Sequence, residues 1–348
     1  MMWVDTASST KYLNIGTVHL GKTPLAQHTY TSLMRRLAAA GFQSAFSETA
    51  LLPDWWAPSC AEDASLLPDL EIRIARFLGA ALDVVRDPSI ALPTPTYAGA
   101  QLRRVRDVDR DRLTSAIHAG LQIAGAVVRN MKAVPLRLPP MDPLVWRREI
   151  VRKTPILQLG DVLADLWARG IPVIQVATLP APGFQGMVAV VEDRPIVIIG
   201  HDFDEPSRLA FVIAHEIAHV VFGDCSVEHP VVEEDENVSD DGQIERQADN
   251  YARAVLTENV TPPSLQAFDF KDLALKALEQ EKQWNIDASS IIWSWARSSG
   301  DYQLAAMATK ALYRNKGGKR LVRKYLDEHV DTIDAPDSDR ALFRCLTK

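Results

Sequence analysis

Apolar positions recur at helical spacing through most of the chain and change to β-branched runs in one stretch only, between residues 171 and 200. TYTSLMRRLAAAG reads as a helix stopped by Gly41, and LEIRIARFL (70–78) as a helix that ends at Gly79. A long helical pattern follows over Gln101–Met131, opening on the charged run QLRRVRDVDRDR. LQLGDVLADLWARG is a further helix with a glycine stop. IPVIQVATLP then reads as a strand, and FQGMVAVV and PIVIIG as two more, joined by a hairpin-like turn at Glu192-Asp193-Arg194. Pro206–Phe222 is predicted helical, with Pro and Ser at its start and Gly223 after its end. An acidic loop over 224–241 leads to a helix over Ile244–Leu256, and everything from Pro262 onward reads as helical. The first thirty or so residues are polar and mixed and give no assignment.

Proline-rich breaks at LLPDWWAPSC, IALPTPTYAG and LRLPPMDP divide the text. The expected organisation is α+β: a mainly helical regulatory or recognition region over 1–150, a core with a small antiparallel sheet over 151–260, and a helical region over 261–348. A net charge of -7 on 348 residues argues against a general nucleic-acid coat protein. Three cysteines, Cys60, Cys225 and Cys345, make no disulfide framework, and no Cys-x-x-Cys pair supports a thiolate zinc finger. With no signal-like start and no apolar stretch of about 18 residues, the expected location is the cytoplasm.

The segment AFVIAHEIAHVVFGD holds His-Glu-x-x-His on an apolar helical background. Residues four apart share a helix face, so His215 and His219 can aim both imidazoles at one ion. Glu216, one position on, can reach a water at that ion without being a ligand. A catalytic zinc needs a third protein ligand and keeps a fourth position open. The downstream candidates are Glu228, His229, the run Glu233–Glu236, and Glu245, which opens a helix whose Ala248, Tyr251, Ala252 and Val255 form an apolar face. Asp249 has two readings, as the group that orients a ligating histidine or as half of a helix salt bridge.

HEIAH followed about thirty residues later by Glu245-x-x-Ala248-Asp249-x-Tyr251-Ala252-x-x-x-Leu256 resembles the ImmA/IrrE metallopeptidases. The resemblance runs from about Leu157 to Leu256 and departs at Thr257-Glu258, where that family has an apolar residue and then Met-Pro. It implies a zincin-like core, Zn2+ held by His215, His219 and Glu245, and Glu216 as catalytic base. It further implies an endopeptidase that cuts a helix-turn-helix repressor and so releases a mobile-element, stress or defence operon. The hairpin over 184–200 has two readings, as a strand that holds an extended substrate or as plain core.

Other features carry weaker implications. Arg103, Arg104, Arg106, Arg110 and Arg112 are interleaved with Asp107, Asp109 and Asp111, which suits a solvated helix face. Lys310, Arg314, Lys316, Lys319, Arg320, Arg323 and Lys324 read as nearly unopposed and are the best candidate surface for a nucleic-acid effector. DLALKALEQEKQWNIDASSIIWSWARSSG reads as helix, turn, helix, and Trp55, Trp56, Trp284, Trp293 and Trp295 as core anchors. Cys60, flanked by tryptophans, is the favoured thiol for blocking the fourth zinc position, against the plain reading of three ordinary thiols. The alternative function is a DNA-binding or sensor regulator with a structural or vestigial zinc site.

Overall fold

The computed structural model describes residues 28–95, 101–103, 110–151, 156–226, 230–233, 242–258 and 267–347. Short helices come first: α1 (Tyr30–Ala39), α2 (Ser44–Leu51), α3 (Leu67–Leu78) and α4 (Leu82–Arg86). Thr29 and Ser32 form a reciprocal capping box on α1, satisfying two amides that a helix start leaves open. Strand β1 (Gln101–Arg103) precedes the long α5 (Arg110–Asn130), so the helix expected over Gln101–Met131 is shorter and its first residues are extended. Helices α6 (Pro143–Ile150) and α7 (Leu159–Ala168) lead into β2 (Val173–Gln175), β3 (Gly186–Val191) and β4 (Arg194–Ile199). Next come α8 (Pro206–Phe222), β5 (Val231–Glu233) and α9 (Gln243–Thr257). The chain then stays helical: α10 (Phe270–Trp284), α11 (Ala288–Ser299), α12 (Tyr302–Ala311), α13 (Gly318–His329) and α14 (Asp337–Phe343).

The class is α+β, mainly helical, with one five-stranded sheet in the order β1-β5-β3-β4-β2. The sheet is mixed rather than antiparallel. The hairpin β3–β4 is antiparallel, from Gly186↔Ile199 to Val191↔Arg194. Its β4 also pairs in parallel with β2, because the chain leaves β2 and turns back through β3 on the far side before β4 comes alongside. The turn between β3 and β4 sits where expected: Glu192 and Asp193 take φ of 49° and 60°. Positive φ at both positions matches the right-handed twist of the strands, at roughly 1 kcal/mol per non-glycine residue. Both strands of the hairpin are interior to the sheet, β4 flanked by β3 and β2, and β3 by β4 and, over Gly186–Val188, by β5. Over Gly186–Val188 and Val197–Ile199 both sides of the hairpin are already paired, so the core reading holds there and strand addition has no free edge along those residues.

One apolar core runs through α1–α3, α5, α7, the sheet, α8, α9, α13 and α14, and so crosses positions 150 and 260. A second core is closed by α10, α11 and α12 alone. The large buried indoles are Trp146 and Trp167, both fully buried. Trp55 and Trp284 are instead exposed, while Trp293 is half-buried. Of the expected tryptophan anchors, Trp56, Trp293 and Trp295 pack against the two cores and Trp55 and Trp284 do not.

Helix α6 fixes α9 in place. The Trp146 ring stacks on Tyr251, and the Tyr251 hydroxyl donates to the Pro140 carbonyl at 2.7 Å. Arg147, fully buried, donates to the carbonyls of Val255 (2.9 Å) and Leu256 (3.1 Å) at the end of α9 and to the Glu258 carboxylate (2.8 Å). Those carbonyls have no partner inside the helix, so the guanidinium acts as a cap. Arg147→Met should therefore destabilise the fold by about 2–4 kcal/mol, since it strands buried acceptors. Thermal or denaturant unfolding checks this, and an unchanged midpoint would sink it.

Candidate metal centre

Helix α8 is apolar on nearly every side, with Leu209 to His219 buried except Phe211. Pro206 at its first position and Gly223 beyond its end, at φ 80°, set its length. On this helix the Nε2 atoms of His215 and His219 converge to 3.2 Å. Glu245, in the first turn of α9, is fully buried and closes the triangle. Its Oε2 lies 3.4 Å from His215 Nε2 and its Oε1 3.6 Å from His219 Nε2. The third member of the triangle is thus the helix-opening glutamate. Among its rivals, Glu228, His229, Glu234, Asp235 and Glu236 lie outside the described residues, as does the Glu233 side chain.

The outer nitrogens decide the tautomers. His215 Nδ1 is 3.0 Å from Asp249 Oδ1, and His219 Nδ1 is 3.0 Å from Asp224 Oδ2. An ionised carboxylate only accepts, so both Nδ1 atoms carry the proton and both Nε2 atoms present lone pairs. The inner face of the triangle is therefore two imidazole lone pairs and a carboxylate, all acceptors. A cation among them turns mutual repulsion into coordination, and His215, His219 and Glu245 form a buried group that could hold a metal ion. Tetrahedral coordination with bonds of about 2.0–2.1 Å places neighbouring ligand atoms about 3.3–3.4 Å apart, and the three separations straddle that value. The two imidazoles suit a borderline metal better than Mg2+ or Ca2+, which take oxygen ligands.

Asp224 did not stand out from its acidic loop in the sequence. The signal was present: a glycine stop four residues after His219 turns the chain back, the Asp224 amide bonds the His219 carbonyl at 2.9 Å, and the carboxylate swings under the ring. Gly186 was also missed. A Cβ at that point of β3 would lie 2.2 Å from Glu216 Oε1, so the absence of a side chain lets the fully buried Glu216 carboxylate rest against the strand. Sheet and helix are in closest approach here, which no local pattern could announce.

All three cysteines are free. Cys225 Sγ donates to the Val188 carbonyl of β3 at 3.4 Å. Burial, with the negative charges of Glu216 and Asp224 adding, pushes its thiol up to about 12. Cys345 is buried and likewise pushed up to about 12. Cys60 sits in a 3-10 turn, Pro58–Glu62, that packs on α1, where its sulfur accepts from the Ala57 amide. The structure does not bring it into the metal-holding group, whose members among the described residues are the two histidines and Glu245.

Four of the seven basic residues before and within α13 are paired with acids. Arg314 pairs with Glu281 and Asp287, Lys319 with Asp202, Arg323 with Asp327 and Lys324 with Glu328. For Arg314 and Lys319 the fold supplies the acids from remote segments, whereas Arg323 and Lys324 find theirs one turn along α13. In the Arg103–Arg112 stretch, Arg104 and Arg106 lie outside the described residues, as do the side chains of Arg103, Arg110 and Arg112. No described helix is long and apolar enough to cross a membrane.

Equilibrium dialysis followed by elemental analysis should find one divalent transition metal per chain, with Glu245→Ala weakening its retention at least tenfold, about 1.4 kcal/mol. Equal retention in the variant would assign the third ligand elsewhere. A second check uses thiol chemistry. The reactive thiolate is a minute fraction of a thiol whose pKa lies near 12, so Cys225 and Cys345 should resist alkylation of the native protein at pH 8 and Cys60 should label first. Rapid modification of Cys225 would contradict its placement against β3. No family model matches the chain and no curated protein matches it significantly.

Proposed function

We propose that the chain is a zinc-dependent endopeptidase of the ImmA/IrrE kind, with His215, His219 and Glu245 holding the metal and Glu216 as the proton carrier. The observation that carries the reading is the place of Glu216. It is a buried carboxylate on the metal-holding helix, one residue from a ligand, held against a glycine of β3, and outside the ligand triangle. A purely structural site has no need of it, and such sites are closed by four protein ligands, whereas three converge here among the described residues. A bound Zn2+ would supply Lewis acidity and lower the pKa of a water molecule toward about 7.

The protein's own groups do the rest. Glu216 accepts the proton that the attacking water gives up and later delivers it to the departing amine. Asp249 and Asp224 hold the two imidazoles in the tautomer that leaves Nε2 free to coordinate, and their charge raises the basicity of the rings. Burial excludes bulk water and strengthens each of these interactions.

The resemblance names a helix-turn-helix repressor as substrate, and zinc as the metal. The test is to incubate the zinc-loaded chain with a candidate repressor encoded beside it and to look for a single cut. Glu216→Gln should keep the metal and lose about 10²–10⁴-fold in cleavage rate, because the amide keeps the shape and cannot take the proton. Cleavage at the normal rate by that variant would remove Glu216 from the reaction. Absence of cleavage by the wild type with metal bound would favour the sensor reading.

A further inference from the structure

A cavity of about 360 Å³ opens between the first helices and α14, far enough from the metal group that no residue of α8 or α9 lines it. Its size is in the range of small-molecule sites, and its make-up is divided. The floor is apolar: Leu51 at the end of α2, Phe77 of α3, and Ala341 and Leu342 of α14. The rim is cationic: Arg73 and Arg76 of α3 and Arg129 of α5. Gln122 and Ser338 add neutral polar groups.

The three arginines differ in how far the protein uses them. Arg129 is engaged on two sides, by Asp339 at 2.9 Å and by Glu192 at 3.4 Å. Asp339, the carboxylate that lines the cavity, is in turn taken up by Arg129 and by the Asn130 amide at 2.8 Å. Arg73 is only 13% exposed, and its Nε donates to Asp69 at 2.7 Å. A terminal nitrogen of Arg73 lies 3.9 Å from Asp337, too far for a hydrogen bond. Arg76, one turn along the same helix face, makes no ion pair or hydrogen bond among the described residues. Two adjacent guanidinium groups with donors to spare thus stand over an apolar floor.

We propose that this cavity binds a small amphipathic anion, with a carboxylate head on Arg73 and Arg76 and an apolar body against Phe77, Leu51 and Leu342. A guanidinium pair suits a planar, two-oxygen head, since its N–H groups fork in the same geometry. The floor selects for the body, because a fully hydrophilic anion such as acetate would leave that surface in water. The site does not depend on the peptidase reading.

Isothermal titration calorimetry of the full chain with octanoate and with 3-phenylpropionate tests this, with 1-octanol and acetate as controls. Saturable binding of one carboxylate per chain is expected, with both controls at least tenfold weaker. Arg73→Gln with Arg76→Gln should weaken it at least tenfold. Because Arg76 is exposed and has no ion-pair or hydrogen-bond partner among the described residues, Arg76→Gln alone should leave the melting curve of the ligand-free protein unchanged and still weaken binding. The proposal fails if neither carboxylate binds saturably, if 1-octanol binds as well as octanoate, or if the arginine variants bind as the wild type does.

Discussion

A carboxylate with no exposed surface facing two buried imidazole lone pairs is the constraint around which the middle of this protein is built. Acceptors that converge within 3.2 to 3.6 Å are tolerable only with positive charge among them. Meeting that condition dictates much else. Helix α8 must be apolar on almost every side to keep the group dry, α9 must enter with its first turn against α8, and each ring must be held from behind by a carboxylate. The clamp of α6 on α9 belongs to the same requirement, since Trp146 and Arg147 fix the helix that carries Glu245.

The elements nearest the metal group were the most legible in the sequence. The bounds of α8, with proline at one end and glycine at the other, and the β3–β4 hairpin follow from local chemistry that needs no tertiary knowledge. The histidine pair was legible for a related reason, since helical spacing already fixes the face the two share, whereas Glu245 was singled out by the apolar face of its own helix and by the family resemblance. What could not be read was whatever depends on segments distant in the chain. The parallel pairing of β2 with β4, the acids that neutralise Lys319 and Arg314, the glycine under Glu216 and the position of Cys225 all arise where two remote segments meet. Asp224 lies between these cases, since a turn of known geometry delivers it, yet only the histidine ring above it gives that turn a purpose.

The two cores divide the molecule by kind of contact. Helices α10, α11 and α12 satisfy one another and touch α8 and α9 chiefly through α11. Arg297 of α11 stands 3.3 Å over the Phe211 ring, and Phe211 in turn lies beside His215. The remaining apolar surface forms a single body in which the sheet is sandwiched, with α5 packed on β3 and β4 on one side and α8 on the other. Glycine lets α5 come close: a Cβ at Gly120 would lie 2.8 Å from the Met187 side chain of β3.

The far edge of the sheet has a different history from its centre. Beyond β2, Val176 bridges to Leu346, Thr347 donates to Gln175 at 2.9 Å, and Arg344 reaches back to Thr49, 295 positions away. The ring of His215 and its carboxylate are only 34 positions apart. During synthesis the histidine helix and α9 therefore emerge and can meet long before residues 344–347 exist to seal the sheet. Throughout that interval β2 presents an open row of amides and carbonyls to any neighbouring extended chain. The strand is only three residues long, which keeps that template short.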